Sequence, residues 1–219
     1  MGRLYLVSTP IGNRDDISLR ALKILESVDL ILAEDTRKTG LLLKSHAPLL
    51  SFFEGNEENR LPEVLNKLNL GQSLALVSNA GTPLVSDPGF KLVREAIAAG
   101  HEVIPIPGAS AVLAALVGSG LPPDKFLFLG FLPKKEGRKE KMLETALELK
   151  AKLPQTVIFY ESPFRLRKTI ELLAKLTPQT HLVLAKELTK KFESWFRGTP
   201  SEVLAKLPET LKGEWVGLF

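Results

Sequence analysis

Six short polar segments interrupt the apolar runs of this 219-residue sequence, and they contain most of the side chains that could perform chemistry. The segments are STPIGN at 8–13, AEDTRKTG at 33–40, SNAGTP at 78–83, PGAS at 107–110, YESPFR at 160–165 and AKELTK at 185–190. Each comes at the end of an apolar run that predicts a β-strand, and open α/β sheets bind ligands at the carboxyl ends of their strands. Turns also need Gly and Pro for backbone reasons, so any single segment is compatible with a purely structural role.

The segment at 78–83 is the clearest candidate for a binding loop. Its small and polar residues would expose backbone N–H and C=O groups at the edge of a sheet, where a polar small molecule can bind without interference from side chains. The residues DPGF that follow at 87–90 have the composition of a helix start, with Asp87 as the N-cap and Pro88 at the first helical position. We therefore restrict the candidate site to NAGTP and attribute Asp87 to helix capping.

Charged side chains stand directly after three of the predicted strands. Asp35 and Arg37 follow the strand that ends near residue 33, Glu161 ends another, and Lys186 and Glu187 end a third. Such positions face either a ligand or solvent, and an ion pair in a solvated turn is the alternative for Asp35 and Arg37.

A basic run, KKEGRKEK at 134–141, is the strongest local concentration of positive charge. It indicates either the solvated start of a helix, which is the commoner case, or an arm that contacts phosphates, helped by RLRK at 165–168. Phe131 and Phe164 stand beside these runs and could stack on a nucleobase, although burial is the commoner outcome for such aromatic residues.

Composition excludes several classes of protein. The chain has no cysteine, and His46, His101 and His181 lack the spacing of metal ligands, so we expect no metal site. The motifs GxGxxG, GxxxxGK[ST], GxSxG and HExxH do not occur. The net charge of +4 is compatible with an anionic partner. Because no apolar run is long enough to span a membrane, we expect a soluble cytoplasmic protein.

Short β-rich runs alternate with helical patterns along the whole chain, which predicts an α/β fold. Gly and Pro are most concentrated between a helix of small residues and the apolar run FLFLGFL at 126–132. We therefore predict an N-terminal α/β domain at 1–118, a linker at 119–125 and a C-terminal α/β domain at 126–219.

The ordered motifs STPIGN, AEDTRKTGLLL, LVSNAGTPLVSDPG, PIPGAS, GFLP, FYESPFRL and AKELTK closely resemble the tetrapyrrole methylase superfamily. Within it, they resemble the branch that methylates the 2′-hydroxyl of a cytidine in 16S ribosomal RNA. The resemblance covers essentially the whole chain. It implies two α/β domains with S-adenosylmethionine bound in the cleft between them, a homodimer, and the small ribosomal subunit as partner.

The resemblance also implies roles for individual residues. The residues that would contact S-adenosylmethionine are Pro10, Gly12, Asn79, Ala80, Gly81, Thr82, Pro83, Ser110, Ala111, Tyr160, Ala185 and Lys186. Asn79 departs from the family pattern, which usually has Asp at this position. The residues that would contact RNA are Arg37, Lys134, Lys135, Arg138 and Arg165.

Methyl transfer to a ribose hydroxyl needs a group that accepts the hydroxyl proton. Asp35, Glu161 and Glu187 are the candidates, and Lys186 would stabilise developing negative charge or bind a phosphate. Two other functions stay open. One is methylation of a tetrapyrrole-type small molecule. The other is RNA binding without catalysis, suggested by Asn79 and by an end at Phe219, where family members continue into a further region.

Overall fold

Strands and helices alternate throughout the computed structural model, which describes residues 1–42 and 47–219. The histidine at position 46 lies outside the described residues. The chain divides into two units, Met1–Ser110 and Ala111–Phe219, each with its own sheet and its own core.

The first unit contains five strands and four α-helices within the described residues, together with a short 3₁₀ helix at Arg14–Asp16. They are β1 (Arg3–Val7), α1 (Leu19–Ser27), β2 (Leu30–Ala33), α2 (Thr36–Leu42), β3 (Leu49–Ser51), α3 (Glu57–Asn69), β4 (Ser73–Val77), α4 (Phe90–Ala98) and β5 (Glu102–Ile106).

All strand pairs of this first sheet are parallel, and the strand order is β3-β2-β4-β1-β5. Both faces of the sheet are covered. Leu25 of α1 packs on one face with Val77, whereas Leu68 of α3 and Leu92 of α4 pack on the other face. Burial on both faces explains why the strands have nearly continuous apolar runs instead of alternating patterns.

Capping residues define the ends of two helices here. Ser18 caps α1, since its side chain accepts a hydrogen bond from the Ala21 N–H. The prediction for Asp87 is wrong. Helix α4 begins at Phe90, and its N-cap is Gly89, with φ of 122°, so Asp87 lies before the helix and does not cap it.

The second unit contains four helices and five strands. They are α5 (Ala111–Ser119), β6 (Phe126–Phe131), α6 (Glu136–Lys152), β7 (Thr156–Glu161), α7 (Pro163–Leu176), β8 (Leu182–Lys186), β9 (Ser194–Gly198), α8 (Pro200–Lys206) and β10 (Trp215–Leu218).

This second sheet is mixed, with the order β6-β7-β10-β8-β9. Strand β6 runs parallel to β7, whereas β10 pairs antiparallel with both β7 and β8 at the centre of the sheet. Gly217 of β10 lies opposite Phe159, and a Cβ at position 217 would lie 2.2 Å from the Phe159 ring. The central strand therefore requires glycine there, because the aromatic ring occupies the space of a side chain.

Helix α5 belongs to the second unit, since it packs against β10 and β8. Gly118 allows close contact, because a Cβ on it would lie 2.6 Å from the Trp195 indole. The predicted linker at 119–125 begins at Ser119, the last residue of this helix. Among the described residues, no helix is long and apolar enough to cross a membrane.

Candidate active site

The connections after β1 and β4 lead to opposite faces of the first sheet. Strands β1 and β4 are neighbours, but the chain leaves β1 through α1 toward β2 and leaves β4 through α4 toward β5, on the other side of β1. Helices α1 and α4 pack on opposite faces, which makes this edge a switch point of the topology. Ligands of open α/β sheets bind at the carboxyl edge beside such a point.

Backbone and hydroxyl contacts join three loops at this edge. Thr9 and Gly81 exchange two backbone hydrogen bonds, of 2.9 and 3.0 Å, which connect the loop after β1 to the loop after β4. The Ser8 hydroxyl donates to Thr82 Oγ1 at 3.2 Å, and the Thr82 hydroxyl donates to the Ala109 carbonyl at 3.2 Å. Segments 8–13, 78–83 and 107–110, which the sequence singled out separately, are therefore brought together in one place.

Two glycines make this close approach possible. Gly81 has φ of 83°, a conformation that L side chains rarely adopt, and a Cβ there would approach Ile11. A Cβ on Gly108 would lie 2.8 Å from the Ser8 Cβ. The three loops consequently present mostly backbone and small polar groups.

Asn79 makes a hydrogen bond through its backbone N–H, whereas its side-chain oxygen makes none within the described part of the chain. Its N–H donates to Glu34 Oε2 at 3.1 Å. Its Oδ1 is buried and accepts a hydrogen bond from none of the residues that the structure describes. A buried acceptor without a donor costs about 1–3 kcal/mol, so a ligand that donates a hydrogen bond here would be stabilised. The neutral loop with this free acceptor fits the polar, cationic cofactor that the resemblance implies.

The connection between the 78–83 loop and α4 is conformationally strained. Leu84 and Ser86 have φ of 72° and 66°, in the left-handed region, although neither is glycine. Each such residue costs about 1 kcal/mol or more, and strained backbone concentrates at functional sites. Starting helix α4 does not by itself explain this strained segment after NAGTP.

Asp87, at the end of this strained segment, has a perturbed carboxyl group instead of the predicted capping role. Burial and, to a smaller extent, the charge of Glu34 raise the pKa of Asp87 from its ordinary 3.8 to about 6. A side-chain hydrogen bond with Ser78 opposes this shift. The DPG pattern resembled a helix cap. Both Pro88 and Gly89 stand between Asp87 and the helix, whereas an N-cap residue directly precedes the first helical residue.

Asp35 caps α2 and pairs with Arg37. Its Oδ1 accepts from the Arg37 N–H at 3.0 Å, and the Arg37 guanidinium donates to both carboxylate oxygens at 3.2 Å. The Arg37 guanidinium, together with its backbone N–H, holds the pKa of Asp35 below its ordinary value. These contacts match the turn ion pair that was the alternative for these residues.

Glu161, a predicted catalytic residue, is the centre of a buried ion network in the second unit. Its side chain has no exposed surface, and it accepts hydrogen bonds from the Ser162 N–H and the Thr169 hydroxyl, both at 2.8 Å. Arg165 Nη2 and Lys139 Nζ lie 2.6 and 3.3 Å from its two carboxylate oxygens. This geometry leaves Glu161 no free lone pair toward a substrate and favours a structural role.

Glu187 and Lys186 also have partners within the second unit. Burial would raise the pKa of Glu187, but hydrogen bonds from the Glu214 N–H and from Lys190 outweigh it and lower the pKa overall. The Lys186 ammonium lies 5.7 Å from the centre of the Trp215 ring. Glu187 therefore stabilises the turn after β8. Because its pKa is lowered, it is a weak proton acceptor.

The remaining predicted cofactor residues lie in both units. Pro10, Gly12, Ala80, Pro83 and Ser110 belong to the joined loops of the first unit, where Pro10 and Pro83 are buried. In the second unit, Ala111 begins α5, Ala185 is buried in β8, and Tyr160 packs edge-on against Phe128 and Phe131 at 4.9 and 5.3 Å.

The predicted RNA contacts differ in accessibility. Arg37, Lys134, Lys135 and Arg138 are exposed. Arg165 instead points inward, where it pairs with the buried carboxylate described above and donates to the Leu132 carbonyl at 3.0 Å.

The two aromatic residues beside the basic run are exposed, contrary to the commoner expectation. Phe131 is 58% exposed and Phe164 is 94% exposed. Both rings can therefore meet a partner. Among the described residues there is no group of side chains that could hold a metal ion.

Comparison with known proteins identifies the family to which the chain is similar. The family model described as tetrapyrrole (corrin/porphyrin) methylases matches residues 3–204. A Streptococcus pyogenes protein named ribosomal RNA small subunit methyltransferase I is 46% identical over 217 residues, which are 97% of this chain and 74% of the relative. The Escherichia coli O157:H7 protein of the same name is 47% identical over 223 residues, with 98% of this chain and 76% of the relative covered.

Solved structures agree on the fold. The methyltransferase CobJ superposes with a TM-score of 0.74 at 20% identity and covers 100% of this chain and 93% of its own. The uroporphyrin-III C-methyltransferase from Thermus thermophilus, in complex with S-adenosylhomocysteine, superposes with a TM-score of 0.67 at 19% identity, covering 99% of this chain and 97% of its own.

Proposed function

This chain belongs to the tetrapyrrole (corrin/porphyrin) methylase family, and from that premise we propose that it transfers a methyl group from S-adenosylmethionine to the ribosomal RNA of the small subunit. More specifically, the acceptor is the 2′-hydroxyl of a cytidine in 16S ribosomal RNA, within the small ribosomal subunit. The observation that carries the proposal is identity of 46–47% over at least 97% of the chain to proteins of that name. Identity to the two solved methyltransferase structures is only about 20%.

The joined loops of the first unit are proposed to hold the cofactor. Gly81 and Thr82 would contact it through backbone and hydroxyl groups, and the Asn79 oxygen would accept a hydrogen bond from it. When bound, S-adenosylmethionine supplies an electrophilic methyl group on a positively charged sulfur. A loop without basic side chains suits that charge, because a nearby cation would repel it.

The protein's main contribution is positioning. Methyl transfer to a hydroxyl is a displacement in line, so holding the acceptor oxygen about 3 Å from the methyl carbon supplies a large part of the acceleration. The exposed residues Arg37, Lys134, Lys135 and Arg138 are proposed to contact phosphates, and Tyr160, Ala185 and Lys186 to complete the cofactor contacts. We also propose a homodimer, which light scattering of the purified protein tests.

Incubation with radiolabelled S-adenosylmethionine tests the reaction. Label should appear in 16S ribosomal RNA when small ribosomal subunits lacking the modification are supplied, and not when a uroporphyrinogen or precorrin is supplied. Label in the tetrapyrrole instead would replace the proposal with small-molecule methylation. Absence of heat on titration with S-adenosylmethionine and S-adenosylhomocysteine would exclude both reactions and leave RNA binding.

A further inference from the structure

We propose that the carboxyl edge of β6 and β7 binds unpaired RNA, with the rings of Phe131 and Phe164 stacking on its bases and nearby lysines contacting its phosphates. The inference rests on the proposed function for the class of partner, and it adds the conformation in which the RNA is bound. We call this surface the aromatic edge; it consists of Phe131, Lys134, Lys135, Phe164 and Lys168 and lies entirely within the second unit.

Strand topology brings the two rings to the same edge of the second sheet. Strands β6 and β7 are parallel neighbours, and Phe131 is paired with Tyr160 near the ends of both strands. Tyr160 also supports the Phe131 ring, since the two ring centres are 5.3 Å apart. Phe164 follows shortly after β7, in the first turn of α7. Both phenylalanine rings therefore belong to the carboxyl edge, and both are exposed to solvent.

Side-chain contacts hold the two segments of this edge in a fixed arrangement. The Arg165 guanidinium donates to the Leu132 carbonyl, just after β6, at 3.0 Å and pairs with the Glu161 carboxylate at 2.6 Å. Lys139 of α6 donates to the Thr169 hydroxyl of α7 at 2.8 Å. The buried ion network thereby positions the backbone that carries both rings before any RNA binds, which lowers the ordering cost of binding.

The charge around the rings favours a polyanion over a protein as the partner. Residues 131–141 contain five basic and two acidic residues, and four of the basic ones are exposed. Lys168 lies one turn after Phe164, on the same side of α7. Its 3.8 Å pair with Glu136 joins two largely exposed side chains, so solvent screens the pair and leaves the ammonium able to contact a phosphate. Lysine is depleted in protein–protein interfaces, whereas aromatic rings among cations are typical of sites for single-stranded nucleic acid.

Exposed rings also select the conformation of the RNA. A base within an A-form duplex has both faces covered by its neighbours in the stack, so a protein ring cannot stack on it without opening the helix. Unpaired bases offer their faces, and aromatic side chains commonly stack on them. Phe164 is almost fully exposed, so packing within the described chain does not account for it. The aromatic edge should therefore prefer a single strand to a duplex of the same sequence.

Fluorescence anisotropy with a labelled RNA of about 12 nucleotides tests this preference on the full chain without cofactor. The strand is chosen without self-complementarity and is measured both alone and annealed to its complement. We expect the single strand to bind at least about fivefold more tightly than the duplex, and Phe164→Ala to remove most of that difference. Equal affinity of the wild type for the two forms would overturn the inference.

Replacements of Phe164 separate stacking from general apolar contact. Phe164→Ala and Phe164→Leu should each weaken single-strand binding by about fivefold or more, and Phe164→Tyr by less than about twofold, because only an aromatic ring offers a face for stacking. Phenylalanine carries no charge, so the Ala variant should keep the wild-type slope of log affinity against log salt, whereas Lys168→Gln should reduce that slope by about 0.7. A Leu variant that binds like the wild type would overturn the stacking role.

Phe192→Ala is the matched control. Phe192 is another exposed ring of the second unit beside a basic residue, Lys191, but it lies outside the aromatic edge, so this variant should bind RNA with wild-type affinity. Because Phe164 is exposed, its replacement should leave the urea midpoint unchanged, and tryptophan fluorescence checks that each variant is folded. Light scattering checks for another occupant: a mass that falls in Phe164→Ala while RNA affinity stays unchanged would assign this face to a second copy of the chain and overturn the inference.

Methylation by the same preparations separates the inference from the function on which it rests. A wild type that labels 16S ribosomal RNA, with a Phe164→Ala variant that binds RNA equally well, refutes the inference alone. A wild type that neither binds RNA nor labels it refutes the proposed function, and the inference falls with it. A wild type that binds the single strand through Phe164 but labels no RNA supports the inference and refutes the methyl transfer.

Discussion

Replacement of Glu161 by Gln distinguishes a structural carboxylate from a catalytic one. Glu161 neutralises two cations in the interior of the second unit, and the Lys139 side chain is only 5% exposed. Gln has the same shape, but it carries no charge, and its NH₂ group would face donors at Thr169 or Arg165 instead of accepting from them. The substitution therefore leaves buried positive charge without a counterion.

The expected loss of stability is large. Removing one partner of a buried ion pair typically costs about 3–5 kcal/mol. With a urea m-value of about 2 kcal/mol/M, this corresponds to a midpoint lowered by about 2 M. Both tryptophans of the chain, Trp195 and Trp215, lie in the second unit, so their fluorescence reports the unfolding of that unit directly.

Glu136→Gln is the matched control. It breaks the surface pair with Lys168, in which the two side chains are 81% and 75% exposed and the charged atoms are 3.8 Å apart, and it should leave the midpoint unchanged. If Glu161 were the catalytic base, Glu161→Gln would keep its stability and lose its methylation rate. A midpoint within about 0.3 M of the wild type would therefore refute the structural role.

Three further variants test other parts of the molecule. Thr82→Trp should abolish S-adenosylhomocysteine binding in calorimetry because the indole fills the joined loops, whereas Thr82→Ser should bind normally; unchanged affinity in the Trp variant would mean that the cofactor binds elsewhere. Gly217→Ala should destabilise the second unit by about 1–3 kcal/mol in urea unfolding, because its Cβ would lie 2.2 Å from the Phe159 ring, and a wild-type midpoint would contradict this packing. Lys134→Glu combined with Lys135→Glu should weaken RNA binding and reduce the slope of log affinity against log salt by about 1–2, and an unchanged slope would exclude phosphate contacts there.

Local patterns in the sequence are sufficient to predict the strands and helices and to locate the polar loops of the first unit. Apolar runs interrupted by Gly and Pro predicted the alternation of strands and helices, and the structure confirms it. The segments around Thr9, Gly81 and Ala109 were each predicted at strand ends, and parallel pairing then places their loops along one edge of the sheet. Such predictions succeed because turn chemistry and side-chain burial depend mainly on neighbours in the chain.

The roles of the carboxylates were decided only by tertiary structure. Glu161 and Glu187 looked alike in sequence, as acids at the ends of strands, yet partners up to 27 residues away occupy them. Asp87 looked like a cap, yet burial and the charge of Glu34, from a different loop, raise its pKa to about 6. The reason is physical: the charge state and availability of a carboxylate depend on burial and on neighbouring charges in space, and these come from residues that a local sequence pattern does not contain.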